Sequence, residues 1–280
     1  METVVNSPIS QSILTWANES AIARLLLFGI GWIGLWLPLA LPLAKLLKWD
    51  FRSLPKEEQK LPLIGSLYGL APAILWGMTA IESISFAQYG VELQGALWRS
   101  LGVGFAIAVG GLTLVFALET GLGWLTWKRD RIRALISLFL PILAVGLGIG
   151  GIEELIFRGF VFGELNLDYP ISIAAITSSI IFALLHLVWE QKETLPQLPG
   201  LFLMGLVLVL AYQIDNRSIG LAWGLHAGWI WGLTCLNSSG AIAYNENASP
   251  WWIGWYQQPL AGIMGIFCLG ATACVLWFLR

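Results

Sequence analysis

Residues 134–164 read ALISLFLPILAVGLGIGGIEELIFRGFVFGE, a long apolar run that carries a cluster of charge in its second half. As an α-helix rising 1.5 Å per residue, this run is about 45 Å long, which exceeds the hydrocarbon thickness of a bilayer. The run therefore predicts a membrane span in which Glu153 lies inside the membrane rather than at its edge. Ionisable side chains are costly to place in lipid, so Glu153, Glu154 and Arg158 indicate a functional site.

The composition of the whole chain agrees with a membrane environment. Hydrophobic residues make up 57% of the 280 residues and charged residues only 11%, whereas about 25% of residues are charged in ordinary soluble domains. This predicts an all-α fold, a polytopic bundle of about eight transmembrane helices in the lipid bilayer. The predicted spans lie near residues 25–44, 61–81, 100–118, 134–164, 169–189, 198–214, 219–236 and 259–279.

The charge distribution predicts the orientation of the chain and excludes one class of partner. Basic residues are concentrated in the loops after the first and third predicted spans, at Lys45, Lys48, Arg52, Lys56, Lys60, Lys128, Arg129, Arg131 and Arg133. By the positive-inside rule these loops face the cytoplasm, and with eight spans both termini lie on the opposite side. The net charge is −2, and no basic tract is typical of a nucleic-acid partner. We expect no cleaved signal peptide, because no basic n-region precedes Arg24.

The spacing of the acidic cluster suggests different roles for its members. Glu154 and Arg158 are four residues apart and share a helix face, so they can form an ion pair. Glu153 points about 100° away from that face and is left for chemistry as a general base. The alternative is that all three residues form a structural ion network between helices. Glycines that allow a neighbouring helix to approach closely precede the acids at Gly146, Gly148, Gly150 and Gly151.

The only two histidines of the chain, His186 and His226, both lie inside apolar runs of spanning length. Phe182 precedes His186 by four residues and shares its helix face. One buried histidine is often a hydrogen-bonded helix contact. Two histidines on separate helices, together with Glu153 on a third, favour a reactive site.

The pattern Glu153-Glu154-x-x-x-Arg158, then Phe182-x-x-x-His186, then His226 in a later span resembles the CPBP family of intramembrane proteases. This is the CAAX-protease and bacteriocin-processing group, also called the Abi family. The resemblance covers roughly residues 146–236 and implies a catalytic core at 134–236. No internal repeat, Pro/Ser-rich linker or low-complexity tract divides the sequence, so we expect one integral domain, 1–280. It implies that Glu153 activates a water for attack on a peptide carbonyl, while His186 and His226 hold the water and the oxyanion. The implied substrate is a membrane-associated protein, with prenylated CAAX-type proteins as one candidate.

Two features leave alternatives open. His186, His226 and Glu153 are also candidate ligands for a catalytic zinc ion with one open position, although the sequence contains no HExxH motif. Family members usually carry Asn or a similar polar residue four positions after the last histidine, where this chain has Ile230. The alternative function is a membrane protein without protease activity, either a scaffold that has lost catalysis or a transporter-like proton relay.

Overall fold

The structure is a computed structural model that describes residues 20–50, 52, 55–82, 85–188 and 191–280. The expectation about a signal peptide concerns the first 19 residues, which lie outside the described residues. The helices are α1 (Ala21–Leu46), α2 (Glu57–Glu82), α3 (Gly95–Gly121), α4 (Ile132–Glu154), α5 (Gly163–Asp168), α6 (Ile171–Leu185), α7 (Gln191–Thr194), α8 (Leu198–Ile214), α9 (Gly220–Ser239), α10 (Pro250–Ile253) and α11 (Ile263–Leu279). Two short strands, β1 (Leu125–Trp127) and β2 (Ile242–Tyr244), pair with each other. A π-helical segment, Leu155–Phe162, joins α4 to α5, and short 3-10 turns lie between other elements.

Each of the eight predicted spans coincides with a helical segment, which confirms an all-α, multi-pass integral membrane protein. Within the described residues, six helical segments are long and apolar enough to cross a membrane, namely Ala21–Leu46, Glu58–Thr79, Gly95–Gly121, Arg129–Asp168, Ile171–Val188 and Gln191–Ile214. The other two predicted spans correspond to α9 and α11. Helix α11 is apolar but shorter, with 17 residues, and α9 ends in the polar sequence Asn237-Ser-Ser239. The count of eight spans is therefore not confirmed, and the predicted orientation stays a prediction.

Large apolar side chains on the outside of the helices fit a lipid environment. Ile30 is 69% exposed, Trp76 69%, Leu140 77% and Phe278 88%. In water such side chains would form hydrophobic patches of the kind that mark interfaces. In a bilayer they face hydrocarbon, while the helices satisfy their own backbone hydrogen bonds.

The chain divides into two compact units, and the prediction of one integral domain stays a prediction. The first unit comprises the described residues up to Ser85 and residues Phe160–Ala174. In it, Trp32 Nε1 of α1 donates to the carbonyl of Leu67 in α2 at 2.8 Å. Arg24 forms an ion pair with Glu164 of α5. These polar contacts connect α1 to α2 and α5.

The second unit comprises Phe86–Gly159 and Ala175–Arg280, and α9 packs along both α3 and α4 within it. Glycines allow the close contact with α3: a Cβ added at Gly224 would collide with the backbone oxygen of Leu101. On the α4 side, Trp223 Nε1 donates to the Leu147 carbonyl at 2.8 Å, and Gly150 leaves room for Ala227. The predicted close helix approach at the α4 glycines is confirmed at Gly146, Gly150 and Gly151, whereas a Cβ at Gly148 would meet only open space.

A polar corner and a strand pair fix the two ends of α9. Before α9, Asp215 accepts hydrogen bonds from the backbone of Leu221 at 3.1 Å and from Ser100 Oγ of α3 at 2.7 Å. After α9, β2 pairs antiparallel with β1, with Leu125 opposite Tyr244. The first contact connects the start of α9 to α3, and the second connects the segment after α9 to β1, which follows α3. His226 therefore lies on a helix whose two ends are both held.

Candidate active site

The two adjacent glutamates stand at the end of α4, where the helix widens instead of stopping. The segment Leu155–Phe162 is π-helical and leads directly into α5, and all of its residues are buried. The predicted continuation of the helix past the acids is therefore confirmed. The π geometry was not predicted, because a pattern of apolar residues does not distinguish i+4 from i+5 hydrogen bonding. π-helical turns are rare and occur often at functional sites.

Arg158 is a buried cation, 1% exposed, and its two terminal nitrogens bond to two different partners. Its Nη1 donates to Glu154 Oε1 at 3.0 Å, and its Nη2 donates to the carbonyl of Gly205 in α8 at 3.2 Å. The guanidinium carbon also lies 4.6 Å from the centre of the Phe182 ring. The predicted ion pair between Glu154 and Arg158 is present, and Arg158 in addition connects α8 to the site.

His226 contacts both glutamates. Its Nδ1 lies 2.7 Å from Glu154 Oε1, and its Nε2 lies 3.6 Å from Glu153 Oε2. All three side chains are buried. Glu154 Oε1 is therefore shared by Arg158 and His226, and Glu153 faces the opposite nitrogen of the same imidazole.

The hydrogen bonds of His226 assign its tautomer. An ionised carboxylate only accepts hydrogen bonds, so Nδ1 of His226 carries the proton donated to Glu154. In the neutral imidazole Nε2 then presents a lone pair towards Glu153. At 3.6 Å the two atoms are too far apart for a direct hydrogen bond. They are close enough for one water molecule to donate a hydrogen to each.

Phe182 connects the two histidines. Its ring centre lies 4.6 Å from that of His186 and 5.9 Å from that of His226. His186 Nδ1 donates to the carbonyl of Phe182 at 2.8 Å, because a carbonyl can only accept. This bond leaves the Nε2 of His186 with a lone pair in the neutral form. The structure therefore brings Glu153, Glu154, Arg158 and His226 into one contact network, and His186 joins it through the Phe182 ring.

The three candidate zinc ligands do not form a ligand set in this structure. Among the described residues, no group of three or more His, Cys, Asp or Glu side chains is arranged to hold a metal ion. Nδ1 of His226 is bonded to Glu154 and Nδ1 of His186 to a backbone carbonyl, so Nε2 is the nitrogen of each ring that a metal would need. With the side chains as they stand, Glu153, His186 and His226 do not converge on one ion.

Ile230 lies one turn beyond His226, on the side of α9 that faces α4. A Cβ added at Gly146 would lie 3.5 Å from the Cγ2 of Ile230. Gly146 is two turns before Glu153 on α4. Ile230 therefore packs beside the glycine-rich part of α4, and its effect on catalysis stays a prediction.

Two polar contacts of the network were not predicted. The hydrogen bond of Glu154 to His226 joins residues 72 positions apart, and the acceptor of Arg158 at Gly205 is a backbone carbonyl. Charge spacing along one helix gives no signal for either contact, since both depend on how α4, α8 and α9 pack.

The comparison with known families agrees with this site. Residues 134–232 match a family model described as Rce1-like, Type II CAAX prenyl endopeptidase Rce1-like. No curated protein and no solved structure matches the chain. The matched segment runs from α4 to α9 and contains all six residues of the quoted pattern. The resemblance to the CPBP intramembrane proteases is thereby confirmed: residues 134–232 of this multi-pass membrane protein match the Rce1-like CAAX prenyl endopeptidases.

Proposed function

We propose that this protein is an intramembrane endopeptidase in which Glu153 and His226 activate one water molecule for attack on a peptide carbonyl. The observation that carries the proposal is the 3.6 Å distance between Glu153 Oε2 and His226 Nε2 in a buried site. Two acceptors at this distance suit a water that donates to both. The match to CAAX prenyl endopeptidases supplies the reaction class.

The proposed reaction moves one proton at each step. Glu153 takes a proton from the water as the oxygen forms a bond to the carbonyl carbon, which gives a tetrahedral intermediate with a negatively charged oxygen. The proton on Glu153 is then delivered to the amide nitrogen as the carbon–nitrogen bond breaks. The products are a carboxylic acid and an amine, which exchange one proton to become a carboxylate and an ammonium group, and Glu153 is again ionised for another cycle.

Glu154, Arg158 and Phe182 act as positioning residues in this mechanism. Glu154 holds the proton on Nδ1 of His226, which keeps Nε2 directed at the water, as a buried carboxylate does for a catalytic histidine in serine proteases. Arg158 compensates the charge of Glu154. Phe182 packs against the imidazoles of both His226 and His186. We assign His186 to the stabilisation of the oxyanion as an imidazolium, in which Nε2 donates to the oxyanion while Nδ1 keeps its bond to the Phe182 carbonyl.

Two further buried atoms support a site that contains water. Glu154 Oε2 and Arg158 Nε hydrogen-bond to no side chain or backbone group in the part of the chain that the structure describes. Buried polar atoms in proteins are nearly always satisfied by protein groups or by ordered water. A hydrated site inside a membrane protein is what peptide hydrolysis requires. No step of the proposed reaction passes through a metal ion.

The proposed substrate is a membrane-associated protein, with prenylated CAAX-type proteins as the first candidate. The experiment is a cleavage assay with the purified full chain in lipid vesicles, using a transmembrane peptide and a farnesylated CAAX peptide. Mass spectrometry in heavy-oxygen water should show an internal cleavage and one heavy oxygen in the new carboxylate. Glu153→Gln should remove this product, whereas Glu246→Gln, a change at an exposed loop glutamate, should not.

The same assay separates the proposal from the two alternatives. A folded wild-type protein that cleaves neither peptide supports a scaffold that has lost catalysis. Proton flux across the vesicle membrane without cleavage supports a transporter-like relay. Cleavage that persists in Glu153→Gln contradicts the role of this residue as the base.

A further inference from the structure

A cavity lies at the far end of α9, away from the glutamates and histidines. Its volume is about 190 Å³. Polar side chains from α9, β2 and the turn before α11 line it, namely Asn237, Tyr244, Gln257 and Gln258, together with the ring of Phe116 from α3. Asn237 lies three turns beyond His226, about 16 Å along the helix. The cavity is therefore separate from the proposed hydrolytic site.

A buried carboxylate stands behind one wall of this cavity. Glu119, in the last turn of α3, is 2% exposed, and its Oε2 accepts a hydrogen bond from the hydroxyl of Tyr244 at 2.9 Å. Among the described residues no lysine, arginine or histidine forms an ion pair with Glu119. A buried carboxylate without a cation is costly, because a low-dielectric site stabilises the charge poorly.

Tyr244 connects Glu119 to the cavity, because its hydroxyl contacts the carboxylate and the residue lines the cavity. Burial, together with the neighbouring Glu119 carboxylate, raises the pKa of the Tyr244 phenol far above its usual value, so the phenol keeps its proton. That proton is donated to Glu119, which leaves the lone pairs of the phenol oxygen as acceptors. Asn237 and Gln257 also line the cavity, and each of these amide side chains carries one acceptor oxygen.

The backbone near Gln257 is held in a conformation that favours glycine. Tyr256 has φ 57° and Gln257 has φ 59°, both in the left-handed region. Two consecutive residues that are not glycine are uncommon there, and such strain is concentrated at functional and ligand-binding sites. This turn places Gln257 and Gln258 at the cavity.

One acidic and one basic residue of α7 contact the turn that contributes Gln257 and Gln258 to the cavity. Glu193 of α7 accepts a hydrogen bond from Gln258 at 3.3 Å, and the Nζ of Lys192 lies 5.7 Å from the ring centre of Tyr256. Both residues are exposed. The lining itself contains no charged side chain, and Glu119 contacts it through the hydroxyl of Tyr244.

We propose that this cavity binds an organic ammonium group. The Tyr244 oxygen and the amide oxygens of Asn237 and Gln257 accept its N–H groups, and Glu119 supplies the opposite charge. The rings of Phe116 and Tyr244 favour an alkylammonium over a bare metal cation, because aromatic faces attract organic cations. A lipid headgroup amine and a lysine side chain share this chemistry. The assignment does not depend on peptide hydrolysis at Glu153.

The test uses the purified full chain in detergent micelles and isothermal titration calorimetry with ethylammonium chloride. Saturable binding to one site is expected, and no binding is expected for 1-propanol, a neutral molecule of similar size. Absence of saturable ethylammonium binding would overturn the proposal. Equal binding of propanol would overturn it as well, because it would show a polar pocket without preference for charge.

Two variants connect the binding to Glu119. Glu119→Gln removes the charge and should weaken ethylammonium binding by at least about tenfold, as for other buried charge pairs. Tyr244→Phe removes the phenol oxygen and should also weaken it. Glu246→Gln, two residues from Tyr244 but exposed, is the matched control and should bind as the wild type does. If the wild type and both cavity variants bind ethylammonium with equal affinity, the proposed site is wrong. Circular dichroism verifies that each protein is folded.

Competition against ethylammonium identifies the natural source of the amine. Vesicles of phosphatidylcholine with and without phosphatidylethanolamine provide one arm, and a lysine peptide with its acetyl-lysine form provides the other. Competition that requires phosphatidylethanolamine supports a lipid amine, and competition lost on acetylation supports a lysine side chain. Competition by acetyl-lysine equal to that by lysine contradicts recognition of an ammonium group.

Discussion

His226 donates its Nδ1 proton to Glu154, and its Nε2 faces Glu153 at 3.6 Å. The two adjacent glutamates therefore contact opposite nitrogens of one imidazole. One glutamate fixes the tautomer of the ring, and the other lies where the free lone pair points. This arrangement gives neighbouring residues of the same type different proposed tasks.

We predict that Glu154→Gln lowers kcat by at least about 100-fold and leaves KM nearly unchanged, since an orienting carboxylate acts through its histidine. The amide can rotate and donate to Nδ1, which would reverse the tautomer and remove the lone pair from Nε2. Steady-state kinetics in lipid vesicles measures the effect. A rise in KM with unchanged kcat would assign Glu154 to substrate binding instead.

Arg158→Ala should mainly destabilise the protein, by about 3–5 kcal/mol, because it leaves buried Glu154 without its cation. Arg158→Lys should not restore stability, since one ammonium cannot reproduce the two directed N–H groups that contact Glu154 and the Gly205 carbonyl. Reversible unfolding in mixed micelles provides the free energies. A stable, well-folded Arg158→Ala protein would contradict the assigned ion pair.

Gly224→Ala should destabilise the contact between α9 and α3, because its Cβ would collide with the Leu101 backbone. Overpacked helix contacts cost about 1–3 kcal/mol. Gly148→Ala is the matched control on α4, where a Cβ meets nothing within 4 Å, and it should not lower stability. A similar loss of stability in Gly224→Ala and Gly148→Ala would show that close helix packing is not the reason for glycine at position 224.

Ile230→Asn should raise turnover if the chain works without the polar residue that the family usually carries there. A new amide N–H near the developing oxyanion would stabilise charge that exists only in the transition state. Ile230→Leu controls for the altered contact with Gly146. An intact fold without faster turnover would mean that Ile230 serves packing against α4 and that another group stabilises the oxyanion.

Chelation should leave the cleavage rate unchanged, because Glu153, His186 and His226 do not form a ligand set. The measurement combines metal analysis of the purified protein with activity before and after treatment with a chelator. Stoichiometric zinc that is lost together with activity would contradict the proposed mechanism.

Much of the fold could be predicted from the sequence, because a bilayer requires long apolar helices that satisfy their own backbone hydrogen bonds. Long apolar runs predicted the longer helical segments but not the short helices α7 and α10. Intramembrane charge indicated Glu153, Glu154 and Arg158, which the structure brings into one contact network with His226. The count of eight spans does not follow from length and apolarity, since α9 is buried by neighbouring helices and carries polar residues that lower its mean hydropathy. Length and apolarity alone do not separate a buried helix from a spanning one.

The geometry within the site could not be predicted in the same way. Spacing along α4 gave the Glu154–Arg158 pair but not the bond from Glu154 to His226, which depends on glycine-mediated packing of α9 against α4. The π-helical segment after Glu154 changes the direction of the following side chains and has no sequence signature here. The contact of both histidines with Phe182 likewise depends on helix packing.

The most direct test of the central claim is whether Glu153 and His226 act on one water as a unit. We would measure kcat for Glu153→Gln, for His226→Gln and for the double variant, each on folded protein in lipid vesicles. Residues that act as a unit are strongly non-additive, so we predict that each single variant abolishes most activity and that the double variant is no slower. Losses that multiply, or a Glu153→Gln protein that retains activity, would contradict the shared-water mechanism.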